Sequence, residues 1–410
     1  MPSESSPWRY SLWVAGLVAV AWLACFRFPV VWAATGLGEA DRPFLDLYAL
    51  LAGCDATRLG LNPLLPNPLD PYHRPFGFSD WWFELARLGL GREDTLWLGT
   101  VLVAVTLLVA VAMVRPANRR EGWLLGLLLI SPAVLLAVNR ANHDLVVFLL
   151  LGLGLFCFRS PGGPARALGV ILFAVAAVLK YFPLVTLVLL LDFRSRRGVL
   201  AGLTLYAVVL LLGWPGVAAA LQMAPRYTLN PDWIYAYGAP MLGRDFGFNH
   251  PLGWMVPASL MGAWAIREAW PSVRATPAGQ PGPESPAERQ FICGAAILVG
   301  VFFLGVSYLY KFIFAVWLLP WLWRPEGGEP GESRWNRVIG YLLVAVVWLE
   351  GGMAVVLNLF IGRWSPEAAQ LLLKATLGVT QVATWALVAC LLRFLLIYVG
   401  RRGRALWVHG

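Results

Sequence analysis

Ionisable side chains are scarce in this sequence, and lysine is nearly missing from it. Only 13% of the 410 residues are charged, and of the 32 basic residues three are lysines, Lys180, Lys311 and Lys374. A soluble domain carries about 25% charged residues to cover its surface, so a water-exposed globule is excluded. Cysteine is sparse as well. Cys25, Cys54, Cys157, Cys293 and Cys390 stand in separate segments, which provides neither a disulfide framework nor a metal-ligand spacing, and they read as small core residues. Walker, Rossmann, zinc and nucleophile-elbow patterns are missing too, so the sequence names no cofactor and no metal.

What the chain has instead is apolar sequence. Hydrophobic residues make up 59% of it, and the mean hydropathy is +0.66. It reads as all-α, a polytopic membrane protein forming a single domain over residues 1–410. The net charge of +9 does not indicate nucleic acid, because basic residues in such a chain mark cytoplasmic loops.

Twelve apolar runs, each bounded by charge, Pro or Gly, predict about 12 transmembrane helices. They are Tyr10–Phe26, Thr95–Val114, Trp123–Val138, Leu145–Phe158, Ala167–Leu179, Tyr181–Leu191, Val199–Gly213, Leu252–Ile266, Phe291–Val306, Phe312–Trp323, Val338–Phe360 and Ala375–Val399. The first, behind Arg9, is either a signal peptide or an uncleaved anchor, and the many later spans favour the anchor. With the N-terminus inside, the inner segments hold nineteen of the 32 basic residues, which supports both count and orientation. The three lysines all fall outside, against a simple inside bias.

Two runs are too short for their task. Leu145–Phe158 and Tyr181–Leu191 reach only about 21 and 17 Å at about 1.5 Å per residue, against a hydrocarbon core of about 30 Å. Their hairpins must then lie at membrane depth. Three such hairpins, Asn139–Asp144, Lys180–Pro183 and Ser307–Lys311, are short and polar. Polar backbone at that depth is tolerated only around a cavity, so a cavity facing the outer leaflet is expected, floored by these hairpins. The alternative is one helix from Ala167 to Leu191 kinked at Pro183, which would reverse all later topology.

The long first extracytoplasmic loop, 28–94, holds the candidate chemistry. Asp41 with Arg42-Pro43 reads as a helix cap and Gly53 as the helix stop. Asp46 lies beyond the cap among Phe44, Leu45, Leu47, Leu50 and Leu51, which suits a carboxylate against the membrane, although an ordinary exposed one would look the same. Ser79–Leu88 suggests an interfacial helix anchored by Trp81, Leu85 and Leu88. Asp55, Asp70, Asp80 and Glu84 could be imagined around a divalent metal, but their irregular spacing favours solvated charges. A second outer loop, 214–251, is rich in aromatic and polar groups, among them Tyr227, Trp233, Tyr235, Tyr237 and His250. Those suit a sugar and equally a membrane-interface belt. The cytoplasmic stretch 271–290 reads as a flexible connector, and Arg324–Arg337 is similar.

The order of these features carries a resemblance. A first span, then a loop of the form Asp46-Leu-Tyr-Ala-Leu-Leu-Ala-Gly53 leading to Gly60-Leu-Asn62-Pro63, is followed by Lys180-Tyr-Phe-Pro183 and by Ser307-Tyr-Leu-Tyr-Lys-Phe. It resembles the GT-C membrane glycosyltransferases, most of all the glycosyltransferase 87 branch that uses polyprenyl-phosphate-mannose. A histidine often stands in that branch where this chain has Tyr310-Lys311. The resemblance implies Asp46 as catalytic base, a polyprenyl-phosphate sugar donor, a lipid or glycan acceptor, and membrane lipids around an extracytoplasmic site. It implies that Arg140, Lys180, Lys311 and His250 meet the donor phosphate, while Asp55, Asn62, Asn142, His143, Tyr181 and Tyr310 meet sugar or acceptor. The preference for arginine over lysine, 29 to 3, suits a GC-rich genome and points to a bacterial cytoplasmic membrane with the site facing the exterior. A transporter or flippase would also place charge around a membrane cavity, but should show polar breaks on both leaflets. A scaffold without catalysis is the third reading.

Overall fold

The computed structural model describes residues 8–28, 30, 43–160, 162–193, 195–223, 235–242, 252–275, 285–323, 330–359 and 365–409. They form an all-α, membrane-embedded bundle with one short strand pair. All twelve apolar runs fall on helical elements. Among the described residues five helices are long and apolar enough to cross a membrane: Arg9–Arg27, Arg92–Val114, Pro286–Leu304, Arg334–Asn358 and Pro366–Trp407. The pair Arg119–Leu129 and Pro132–Arg140, bent by 55°, is either a broken span, which would be the sixth, or a re-entrant loop. The bend has a local cause, since Ser131 caps the second helix through Val134 N–H and Pro132 cannot continue the first. Asp144–Cys157, Gly163–Leu179, Phe182–Asp192 and Leu309–Trp323 are shorter apolar helices.

The 163–193 region is a hairpin. The helix Gly163–Leu179 ends at Lys180, whose backbone is extended, and the chain then runs back as a 3₁₀ helix, Phe182–Asp192. Asp192 returns to within 3.9 Å of Arg166 at the start of the helix, which excludes a single kinked helix from Ala167 to Leu191. The 3₁₀ form also narrows the length deficit without closing it. Eleven residues at a rise of about 2.0 Å reach about 22 Å, more than an α-helix of the same length.

A second 3₁₀ helix, Leu309–Leu318, is buried along its whole length. Trp317 stacks on Phe148 with centroids 4.7 Å apart, and Gly294 admits it because an added Cβ would come within 2.8 Å of the Phe314 carbonyl. Strand β1 (Ala236–Tyr237) pairs antiparallel with β2 (Ser307–Tyr308) just before it. The pairing continues into Leu309 N–H donating to Tyr235 O at 2.7 Å, while Tyr235 N–H donates to buried Glu350.

Several boundaries differ from the sequence reading. Gly53 does not stop its helix, which runs Leu45–Arg58. Gly53 is there because a Cβ would stand 2.6 Å from the Phe83 ring. The expected Asp41 cap lies outside the described residues. Trp82, not Trp81, anchors the 79–88 stretch, with its indole donating to Leu179 O at 3.2 Å, and Leu88 is exposed. The 271–290 connector is narrower than expected, since helices Leu252–Ala275 and Pro286–Leu304 extend into it. All five cysteines are buried and free.

Candidate functional site

The three polar hairpins meet. The loop helix Leu45–Arg58 starts at Phe44, whose φ of 63° is left-handed and whose N–H donates to Asn139 O at 2.7 Å. That tie holds the start of the loop helix against the bent pair and turns Asp46 toward Asn142. Asn142 Nδ2 donates to Asp46 Oδ2 at 2.6 Å, and Arg140 Nη1 lies 3.4 Å from Oδ1. The other end of the same amide faces a second cluster. Asn142 Oδ1 accepts from Lys180 Nζ at 3.2 Å and from Asp144 N–H at 2.9 Å.

Asp144 is fully buried and takes two cations, Lys180 on Oδ1 and Lys311 on Oδ2, each at 2.7 Å. The local pair of Arg140 with Asp144 that sequence proximity suggests is not made. Arg140 turns to Asp46 and lies over the Tyr308 ring at 5.6 Å. Lys180 lies 4.6 Å from the Phe78 ring centroid and Lys311 3.9 Å from that of Phe182, so both ammonium groups also rest on aromatic faces.

These side chains line a cavity of about 290 Å³. Its wall includes Asp46, Arg140, Asn142, His143, Lys180, Tyr181, Tyr310 and Lys311, so eight of the eleven expected site residues come together. Asp55 and Asn62 do not belong to it. Asp55 is held by Arg92 at 2.7 Å and by Arg58, and Asn62 is exposed with its side chain accepting from Leu64 N–H in a local turn. His250 lies outside the described residues. Of the second-loop aromatics, Tyr235 and Tyr237 are buried structural residues, with the Tyr237 hydroxyl donating to Leu298 O at 2.7 Å. Asp232, Trp233, Arg244 and their neighbours lie outside the described residues.

Burial works against ionisation of Asp46, but Arg140 and the Asn142 amide outweigh it and hold the carboxyl below its ordinary range. It is thus a carboxylate at neutral pH. Asp70 follows the same balance, its burial outweighed by Arg74 and by backbone N–H groups. The imagined metal set dissolves into separate pairs, Asp70 with Arg74 and Glu84 with Arg87, besides Asp55. Among the described residues no three His, Cys, Asp or Glu are grouped to hold a metal.

Arg74, Asn67 and Tyr308 also line the cavity without having been singled out. Arg74 had one available signal, an acidic residue four positions earlier inside a proline-bounded turn. Comparison with protein families, with curated proteins and with solved structures returns no match to this chain.

Proposed function

We propose that this protein is a GT-C-type glycosyltransferase, moving a sugar, mannose by its resemblance, from a polyprenyl phosphate to a lipid or glycan acceptor. The observation that carries the reading is one amide, Asn142, joining a carboxylate at 2.6 Å to a cationic cluster at 3.2 Å inside one cavity. Transfer from a lipid phosphate needs a base for the acceptor hydroxyl and cations for the departing phosphate, on opposite sides of the sugar.

In this mechanism Asp46 takes the proton as the acceptor oxygen bonds to the anomeric carbon. The bond from that carbon to the phosphate oxygen breaks with its electron pair going to polyprenyl phosphate, and the configuration inverts. Lys180 and Lys311 share a single carboxylate, so one positive charge is left for the phosphate. Arg140 stands on the Asp46 side, 3.4 Å from that carboxylate. His143, Tyr181 and Tyr310 supply walls for sugar or acceptor. About twelve crossings, with the cavity facing the exterior of a bacterial cytoplasmic membrane, would bring the site to the leaflet that holds such donors.

The one-sidedness of the cavity supports an enzyme over a transporter. Asp192, at the far end of the hairpin, is closed off by Arg289 at 2.9 Å and lines no part of the cavity. The test is release of polyprenyl phosphate from radiolabelled polyprenyl-phosphate-mannose by purified protein with native lipid extract, comparing wild type with Asp46→Asn. Release that vanishes in the variant, with donor binding kept, supports the assignment. Release retained by the variant removes Asp46 as base, and no donor binding by either protein returns the transporter reading.

A further inference from the structure

Arg74 is held in a fixed orientation by its own loop. Asp70, buried with 2% exposure, accepts its Nε and its Nη2, each at 2.9 Å, so the guanidinium fork is fixed in one plane. Asp70 is itself fixed by N–H groups of Tyr72 at 3.2 Å and Arg74 at 2.9 Å. The Tyr72 ring lies 5.2 Å from the guanidinium carbon. The turn that does this, closed by His73 N–H donating to Asp70 O at 2.9 Å, places His73 at φ 50°, a left-handed conformation that a residue with a Cβ adopts at a cost. The following residues are tied down too, with Phe76 N–H donating to Pro63 O at 2.8 Å and its ring 4.8 Å from Phe83.

A bidentate pair on a buried carboxylate stabilises the turn, and it also sets direction. Arg74 lines the cavity together with Asp46 and Arg140, and among the described residues its Nη1 meets no protein acceptor. Arg74 also acts on Asp46 through space. The lysine cluster lies across Asn142 from Asp46. The cavity lining therefore takes cations from the bundle and one, Arg74, from the loop.

We infer that Arg74 is a substrate-binding residue whose free guanidinium edge takes a phosphate oxygen in the cavity, and that Asp70 is its positioning residue. This rests on the glycosyltransferase reading only for the source of the phosphate, which is either the lipid donor or a phosphate carried by the acceptor. Lysine at this position would keep the charge but not the planar fork, so Asp70 could not fix its direction toward a ligand in the same way.

The experiment is equilibrium binding to the full chain in detergent, with farnesyl phosphate and farnesol as one pair of probes. Short-chain phosphatidic acid, added at saturating farnesyl phosphate, is the second. Arg74→Gln, Arg74→Lys and Asp70→Asn are compared with wild type, and thermal unfolding checks that each is folded. A loss of roughly 10-fold or more for farnesyl phosphate in Arg74→Gln, with farnesol unchanged and Arg74→Lys recovering only part, assigns Arg74 to the donor phosphate. The same loss confined to phosphatidic acid assigns it to the acceptor. Asp70→Asn is expected to lower the same affinity by a smaller factor. Unchanged affinity for both phosphates in a folded Arg74→Gln protein overturns the inference and leaves the glycosyltransferase reading intact. A wild type that does not distinguish farnesyl phosphate from farnesol removes the donor role instead, and the inference then stands or falls on phosphatidic acid alone.

Discussion

Two buried carboxylates stand at opposite ends of the helix Gly163–Leu179, and each meets two cations. Asp144 takes Lys180 and Lys311 at 2.7 Å each. Asp192 takes Arg289 at 2.9 Å and Arg166 at 3.9 Å, about 20 Å away along the helix. The formal charges are the same, and the outcomes differ. The arginines spend their remaining donors on protein carbonyls, Arg289 on Phe158 O at 3.0 Å and Arg166 on Ser160 O at 3.4 Å, so that end is knitted shut. The lysines are compact point charges resting on aromatic rings and bordering empty space. A buried charge cluster becomes a candidate site only where its donors are not already consumed and a cavity adjoins it.

The comparison can be broken by substitution at both ends. The largest expected effect is Asp46→Asn, which removes the proposed base and should lower the proposed sugar transfer about 10²- to 10⁴-fold, whereas Asp192→Asn should leave turnover per folded molecule near that of wild type. Radiolabelled transfer normalised to folded protein reads both. Next is Arg289→Met, which leaves Asp192 without its close partner and is expected to cost about 3–5 kcal/mol of stability, seen as a lower thermal midpoint in detergent with phosphate binding retained. The mirror-image change, Lys180→Met, leaves a balanced Lys311–Asp144 pair and so spares stability, but it removes the surplus charge. Farnesyl phosphate affinity should then fall roughly 10- to 100-fold, about 1.4–2.7 kcal/mol. Equal effects of the two substitutions on stability and on binding would abolish the distinction.

The smallest effect concerns pH and the loop. Asp70 has its carboxyl held below the ordinary range, so its contribution is fully present above the unfolded value of about 3.9 and is lost as pH falls through the folded one. Protease resistance of the 59–78 stretch should be flat from pH 8 to pH 5, drop only below about pH 4, and lose that acid step in Asp70→Asn. Asp46, depressed in the same direction, should likewise stay ionised across that plateau, as the proposed base requires.

Much of this protein was determined by its sequence alone. The apolar runs fixed where helices form, because a chain in lipid must satisfy its backbone within each segment. The short polar hairpins announced a cavity, since membrane-depth charge needs one, and Asp46, Asn142, Lys180 and Lys311 were legible as its members. Only the tertiary structure decided the partners. It gave Arg140 to Asp46 and both lysines to Asp144, removed Asp55 to Arg58 and Arg92 and Asn62 to a local turn, and brought in Arg74 from a loop that no periodicity marks. It also chose 3₁₀ over α for Phe182–Asp192, which apolar composition does not distinguish. The physical reason is common to all of these. Burial of a segment is written in its own residues, but which charge faces which is set by how hairpins distant in sequence are stacked, and that is a property of packing.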